Sequence, residues 1–432
     1  MFTEAASHWD LDRLSTDLAQ VRGNALTDTE LINLSGLLCD RTPEEIATRR
    51  HVKRKGLDVD FSRNLYPSVK KLAGLPEAER ISWRDVPRLL QQQGYKLTQA
   101  SWSQAPDVSV FYGRTDEQAK LHQWIAPEGD NCRLVAILGA GGMGKTALAI
   151  RLAEALRSQF QCLIWQRLHL APPLEQVLDS WLQQLPGATG SLPDGLEAKL
   201  DALSERLHDH CCLLLLDNLD SILQSGRFAG PYQPGYENYG ELLRRIGRGR
   251  HQSCLLITSR EPSKDLVMLA RPNGNARSFE LSGLEKLAAS QLLEDEALSG
   301  QDHWDQLIKI YRGNPLVLKL IAASIRELRS GSVADFLNRD NTTLITCDVY
   351  YLLQQQLDRL STEEQQVLQN LAQTELALNV IQLEAALPLS AMACNCALQS
   401  LVRRSLVESS EAGFSLRPVV AEYVCDRWGL TR

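Results

Sequence analysis

The sequence predicts an α/β fold, a parallel sheet flanked by helices, with an all-α domain before it and mostly helical units after it. Three observations predict this. First, short apolar runs alternate with helical patterns in the middle of the chain: 134–138, Cys162-Leu-Ile-Trp165, Leu213–Leu216 and Cys254-Leu-Leu-Ile257, with Arg277-Ser-Phe-Glu-Leu281 as a further strand. Second, the first run, Leu134-Val-Ala-Ile-Leu138, leads into Gly139-Ala-Gly-Gly-Met-Gly144-Lys145-Thr146 and then a helical pattern from Ala147 to Leu156. Third, the flanking regions have apolar residues at helical spacing, except for Leu406-Val-Glu and Gly413-Phe-Ser-Leu416, which bracket a polar turn and read as a hairpin.

Bulk properties set the class. The chain has 432 residues, 44% hydrophobic and 23% charged, an ordinary globular balance with room for two to four domains. A net charge of −7 argues against a protein built around nucleic acid. No apolar stretch is long enough to predict a membrane span, and the N-terminus lacks the basic-then-apolar pattern of a signal peptide. The ten cysteines are scattered, and Cys132, Cys162, Cys211, Cys212 and Cys254 fall in or beside apolar runs. They read as buried free thiols in a reducing cytoplasm.

In chain order, residues 1–24 read as one amphipathic helix, with Trp9, Leu11, Leu14, Leu18 and Val21 on its apolar face. Residues 25–98 read as a small helical domain of helix-turn-helix type. Thr27 with Glu30 forms a capping-box pattern, and Thr42-Pro-Glu-Glu-Ile-Ala47 reads as cap, proline and acidic first turn. A helix over Ser62–Leu72, following a glycine-containing turn, and another near Ser82–Gly94 complete it. Residues 99–110 read as a linker, 111–283 as the α/β domain, 284–345 as a helical domain, and 346–432 as a winged helix.

The glycine-rich segment carries the chemistry. G-x-x-x-x-G-K-T between a strand and a helix is the pattern of a phosphate-binding loop, which makes the α/β domain a P-loop NTPase. Glycines let successive N–H groups turn inward, and the helix N-terminus adds its positive dipole end. Gly139, Gly141, Gly142, Met143, Gly144 and Ala147 would supply backbone, Lys145 would reach the outer phosphates, and the Thr146 hydroxyl would ligate Mg²⁺. Cys211-Cys-Leu-Leu-Leu-Leu-Asp217 is an apolar strand ending in an acid, which beside such a loop would hold Mg²⁺ through water. Thr258-Ser-Arg260 ends a third strand, and Arg260 would stabilise charge on the γ-phosphate. His208, His210, Cys211 and Cys212 offer no second ligand pair with zinc spacing, nor do Cys394 and Cys396; buried thiols are the better reading.

On these motifs the chain resembles a STAND-class ATPase with an NB-ARC module, the switch of plant resistance proteins and apoptotic-protease activators. Phe111-Tyr112-Gly113-Arg114-Thr-Asp-Glu117 is similar to that family's h-h-G-R-E-x-E lead-in, with Thr115 where Glu is usual, and the resemblance implies that Tyr112, Gly113 and Arg114 contact the nucleotide. Gly313-Asn-Pro315-Leu316 is similar to the G-x-P-L motif that packs on the nucleotide. Phe414–Tyr423 resembles the winged-helix segment whose histidine binds the ADP β-phosphate, and Arg417 stands in that histidine's place. The details lean toward bacterial members, especially cyanobacterial ones that carry a short N-terminal helix-turn-helix and commonly continue into WD repeats. This chain stops at Arg432, so the resemblance implies a separate sensor or a reduced member.

The resemblance implies an ATP/ADP switch: ADP holds the domains closed, and exchange for ATP exposes a surface for self-association or a protein partner. Slow hydrolysis follows from Asn218, which stands where the family often has a second acid and cannot accept a proton from water. Lys145, Asp217, Asn218 and Arg260 are thus the expected catalytic set. The alternative is a nucleotide-controlled, DNA-binding transcription regulator, suggested by Arg49-Arg-His-Val-Lys-Arg-Lys55. Residues 1–100 carry 15 Lys+Arg against 14 Asp+Glu, so that domain is nearly neutral and the run reads more readily as a solvated face.

Overall fold

The structure is a computed structural model that describes residues 2, 5, 9, 11–39, 41–76, 78–93, 95, 102, 105–187, 191–337 and 344–431. Much of the N-terminal turn of the expected helix 1–24, and part of the linker 99–110, lie outside the described residues. The first helix covers Leu11–Arg22. Trp9 precedes it, buried with Leu14, Leu18, Leu34 and Phe61, and its indole N–H donates to Leu38 O at 2.8 Å.

Local caps decide the helices that follow. Thr27 and Thr42 each accept from the backbone N–H three residues on, and Glu30 and Glu45 return the bond, completing capping boxes for Asp28–Leu38 and Pro43–Arg49. The expected helix Ser62–Leu72 instead starts at Arg54, running through Arg54–Asp60, a wide π turn at Phe61–Leu65, and Tyr66–Leu72. Gly56 lies inside it. A helical glycine costs about 1 kcal/mol, but helical spacing here buries Leu57, Phe61 and Leu65, which outweighs it. Two arginines of the basic run are engaged locally: Arg50 donates to Asn33, and Arg54 pairs with Glu44 at 2.7 Å and Asp58 at 3.5 Å.

The α/β domain holds five parallel strands: β1 (Leu134–Leu138), β2 (Cys162–Arg167), β3 (Cys212–Asp217), β4 (Cys254–Ser259) and β5 (Ala276–Glu280). Their spatial order is β2-β3-β4-β1-β5. The near-continuous apolar runs follow from helices covering both faces. Leu134, Ala136, Leu214, Leu216, Leu255 and Ile257 enter one core, while Val135, Ile137, Leu213, Leu215 and Leu256 enter the other. Because β4 lies between β1 and β3, the C-terminal ends of these three strands open side by side, where the loop, Asp217 and Arg260 sit. This is the fold of a P-loop NTPase. None of the ten cysteines is in a disulfide; Cys132, Cys162, Cys212 and Cys254 are buried, whereas Cys211 is half-buried.

After β5 come the helices Lys286–Asp295, Trp304–Ile310, Pro315–Arg329 and Val333–Leu337. The chain then runs through Cys347–Leu357, Thr362–Ala372, Val380–Ala386 and Ala391–Arg403 to an antiparallel hairpin, β6 (Val407–Ser410) and β7 (Gly413–Leu416), and a last helix Pro418–Trp428. Leu378 bridges to Phe414 beside the hairpin. Helices followed by this small sheet make a winged helix, and one apolar core runs from Leu284 through Leu318 and Leu357 to Val424. No helix among the described residues is long and apolar enough to cross a membrane.

Candidate functional site

The site lies where the loop 139–146 leaves β1. Gly142 and Gly144 have φ of 81° and 86°, left-handed conformations that favour glycine. Gly144 caps the helix Lys145–Ala155, so the backbone arrives at the helix N-terminus already curled. Lys145 is buried, and its ammonium donates to Gly139 O at 2.7 Å and Ala140 O at 2.8 Å. Burial pushes its pKa down to about 8, against an opposing pull from Asp220.

Three elements bring the remaining polar groups to the loop. Asp217 ends β3, almost wholly buried, and its Oδ1 accepts from the Thr146 hydroxyl at 2.5 Å and the Thr258 hydroxyl at 2.7 Å. Arg167, at the end of β2, approaches its other oxygen at 3.9 Å. Asn218 takes a left-handed backbone (φ 64°), and its N–H donates to Thr258 Oγ1 at 3.1 Å. Arg260 follows β4. Its backbone N–H donates to Asp220 Oδ1 at 3.0 Å and its Nε lies 3.5 Å from Asp220 Oδ2. Asp220 is thus engaged by Arg260. Glu280, at the end of β5, is a further acid facing Lys145, its pKa raised by burial and drawn back by that ammonium.

Of the expected nucleotide contacts in the lead-in, Arg114 is placed behind the loop. Its guanidinium is buried and donates to Met143 O (3.2 Å), Ser282 O (2.7 Å) and Gly283 O (3.1 Å), besides pairing with Glu117. It braces the loop with both terminal nitrogens of the guanidinium turned to protein groups. Gly113 allows the close pass: a Cβ there would lie 2.6 Å from Ala288 Cβ. The Tyr112 hydroxyl donates to Asp295 Oδ2 at 2.8 Å, and burial pushes its pKa up to about 12.

Pro315 and Leu316 do meet the loop. Leu316 N–H donates to Gly142 O at 3.3 Å, and Pro315 Cγ lies 3.9 Å from where a Gly144 Cβ would stand. Asn314 makes the stronger contact: its Nδ2 donates to Gly141 O at 2.9 Å while its Oδ1 caps the helix Pro315–Arg329. Its signal was present in the sequence, as an asparagine directly before a proline at a helix start. Arg417 lies at the mouth of the loop, lining with Gly141 and Asn314 a small cavity of about 50 Å³, and pairs with Glu408 at 3.2 Å. A roomier cavity of about 410 Å³ opens beside Met143, between Ser282 and Arg312. Gln356 and Ser405, which also line the small cavity, carry no sequence signal.

One residue past Arg260 the charge pattern changes character. Glu261 is buried and holds two arginines of the last domain: Arg359 at 2.6 Å and Arg404 at 3.0 Å. Arg404 also lies 3.2 Å from the buried Glu364, and Arg359 donates to Asp220 O at 3.1 Å. Burial raises the Glu364 pKa, and Arg404 counters it.

The residues fit a magnesium nucleotide. Gly142 and Gly144 hold strained curls a side chain would resist, Lys145 is already dry and pointed at loop carbonyls, and Thr146 and Asp217 form the hydroxyl–carboxylate pair such an ion takes. His208 and His210 turn elsewhere, to Arg250 O and Gln161 Oε1.

No family model matches the chain. A WD repeat-containing protein of Nostoc is 37% identical over 356 residues, covering 77% of this chain and 28% of that protein. The chain therefore spans well under half of that curated relative. Disease resistance protein RGA5 of Oryza sativa is 29% identical over 192 residues, 40% of this chain and 17% of that protein. Among solved structures, a Walker-type ATPase of Pyrococcus abyssi superposes with a TM-score of 0.51 at 13% identity, covering 73% of this chain and 96% of the other. That likeness is one of fold.

Proposed function

We propose that this chain is an ATP/ADP-binding switch of the STAND type: ADP holds it closed, exchange for ATP opens it for self-association or a protein partner, and hydrolysis is slow. The observation that carries the reading is the meeting of three domains on one phosphate loop. Asn314 and Leu316 bond its carbonyls from the helical domain, and Arg417 stands at its mouth from the winged helix. A ligand on the loop then touches groups that lie together only in the closed arrangement, which is the differential affinity a switch requires.

The loop N–H groups and Lys145 bind the phosphates, and Thr146 and Asp217 are the residues to hold Mg²⁺. The ion, when bound, neutralises charge on the outer phosphates. Arg260 is oriented by Asp220 and adds positive charge on the same side. Asn218 can orient water but cannot take its proton, and Asp220 is held by Arg260, so no free base faces the site from this strand end. The DNA-regulator reading ranks second, since Arg50 and Arg54 are already engaged within their own domain.

Calorimetric titration of ADP into the wild-type chain and into Lys145→Ala tests the reading. Binding by the first, and a loss of about a hundredfold or more in the second, is expected for removal of a desolvated cation beside phosphate. Equal affinity in both would sink it.

A further inference from the structure

Gln356 lies on the helix Cys347–Leu357, which belongs to the winged-helix domain in sequence but reaches the phosphate loop in space. Its backbone is fixed on both sides. Val349, Leu353 and Leu357 on the same helix are buried in the C-terminal core. Three residues on, Arg359 is tied to Glu261 and to the carbonyl of Asp220. The side chain of Gln356 is half-buried and turns toward Gly141: a Cβ on that glycine would meet Gln356 Nε2 at 2.6 Å and Cδ at 3.6 Å. Arg260 Nε lies 3.9 Å from the same point. Among the described residues the Gln356 amide makes no hydrogen bond. The cavity over Ala140 and Gly141 is about 50 Å³, room for a few waters rather than for a longer phosphate chain.

Gly141 follows Gly139 and Ala140, whose carbonyls hold the Lys145 ammonium, and Arg260 lies beside it. Since the lysine of such a loop reaches the β and γ positions, this is the outer-phosphate side. We propose that Gln356 is a specificity-determining residue: it occupies the place of a third phosphate beside Gly141, so the closed arrangement takes a nucleoside diphosphate in preference to a triphosphate. The inference rests on the nucleotide reading above. Filling the space does the selecting, and the arginine–glutamate link through Arg359 keeps the helix from yielding.

The test is calorimetric, with Mg²⁺ present, using ADP and the non-hydrolysable β,γ-imido analogue of ATP on wild type, Gln356→Ala and Gln356→Met. Deleting the obstruction in Gln356→Ala should lower the ratio of triphosphate Kd to ADP Kd about tenfold, the scale of a small steric discrimination. ADP affinity should change by less than about twofold, since the inner phosphates are held elsewhere. Gln356→Met keeps the volume and removes the donor, so its ratio should stay within about threefold of wild type. An unchanged ratio in Gln356→Ala overturns the proposal, as does a tenfold fall in Gln356→Met. Absence of ADP binding by the wild-type chain overturns both this inference and the reading beneath it, whereas ADP binding with an unchanged ratio overturns this one alone.

Discussion

Arg404 Nε lies 3.0 Å from Glu261 Oε2, with both side chains about 5% exposed or less. One partner follows β4 of the nucleotide domain and the other closes a helix of the winged helix. Arg404 further donates to the carbonyls of Arg359 and Arg227, and Ser400 joins Glu364 to the backbone of Ala229. Two acids and two arginines thus form one largely buried network across the domain seam, one residue past Arg260.

Removing Glu261 leaves two guanidinium groups without their shared carboxylate. Glu261→Ala should destabilise the closed chain by about 3–5 kcal/mol, the usual cost of breaking a buried pair from one side. Arg404→Ala should cost a comparable amount, and the double variant less than the two together. Urea unfolding of the four proteins checks this; strictly additive losses would mean the pair is not coupled.

Lys145 sets a pH dependence. Burial lowers its pKa to about 8, and a bound phosphate favours the charged form. The lysine's contribution to ADP affinity is therefore complete below about pH 8 and declines as pH rises through that value. Titrations between pH 7 and 9.5, above the phosphate's own ionisation near 6, should show weakening that Lys145→Arg abolishes. A flat profile in wild type would show that the ammonium does not bear on the ligand. The same shift makes the folded state shed a proton before the unfolded one, so stability should rise with pH above about 8 from this group.

Asn218 should limit turnover. With no acid there and Asp220 bound to Arg260, steady-state hydrolysis should fall about a hundredfold below the 1–100 per second common for kinases. Asn218→Asp should raise it. The left-handed backbone at this position is one aspartate tolerates, so the variant should fold. Wild-type turnover near ten per second would contradict the account.

Arg417 should govern release. Its Nε faces Glu408, which also receives Arg312, so the guanidinium has been positioned at the loop mouth by a neighbouring charge. Arg417→Ala should speed release of a fluorescent ADP analogue and favour larger species in light scattering, with little change in stability. Lys there should restore only part of the effect, lacking the planar fork. Release and size both unchanged would leave Arg417 as a surface partner of Glu408.

The nucleotide domain was legible because its strands are buried on both faces, which turns Leu213–Leu216 and Cys254–Ile257 into unmistakable runs, and because the phosphate loop is a contiguous pattern. The hairpin was legible for a related reason, two short strands around a polar turn. What escaped has physical causes. Gly56 reads as a break until the apolar residues that follow are seen to share one helical face. Arg114 sits in a motif beside the ligand site, yet three carbonyls in two segments claim its donors, and sequence spacing cannot show which way a guanidinium turns. Gln356 and the Glu261–Arg404 pair depend on residues 96–215 positions apart meeting across domains, and no local pattern announces them.

The brace formed by Arg114 bears on timing. Held from behind at Met143, and from above by Asn314 and Leu316, the phosphate loop has its curl supported by protein groups. A diphosphate that meets a loop so held by protein groups would have little backbone to order, so the entropy lost on capture should be small and encounter quick. The slow coordinate is then the roof, the helix bearing Gln356 and the hairpin end bearing Arg417. On the proposed reading the clock of the switch is how often that roof lifts, and its period is written in the ionic seam rather than in the loop.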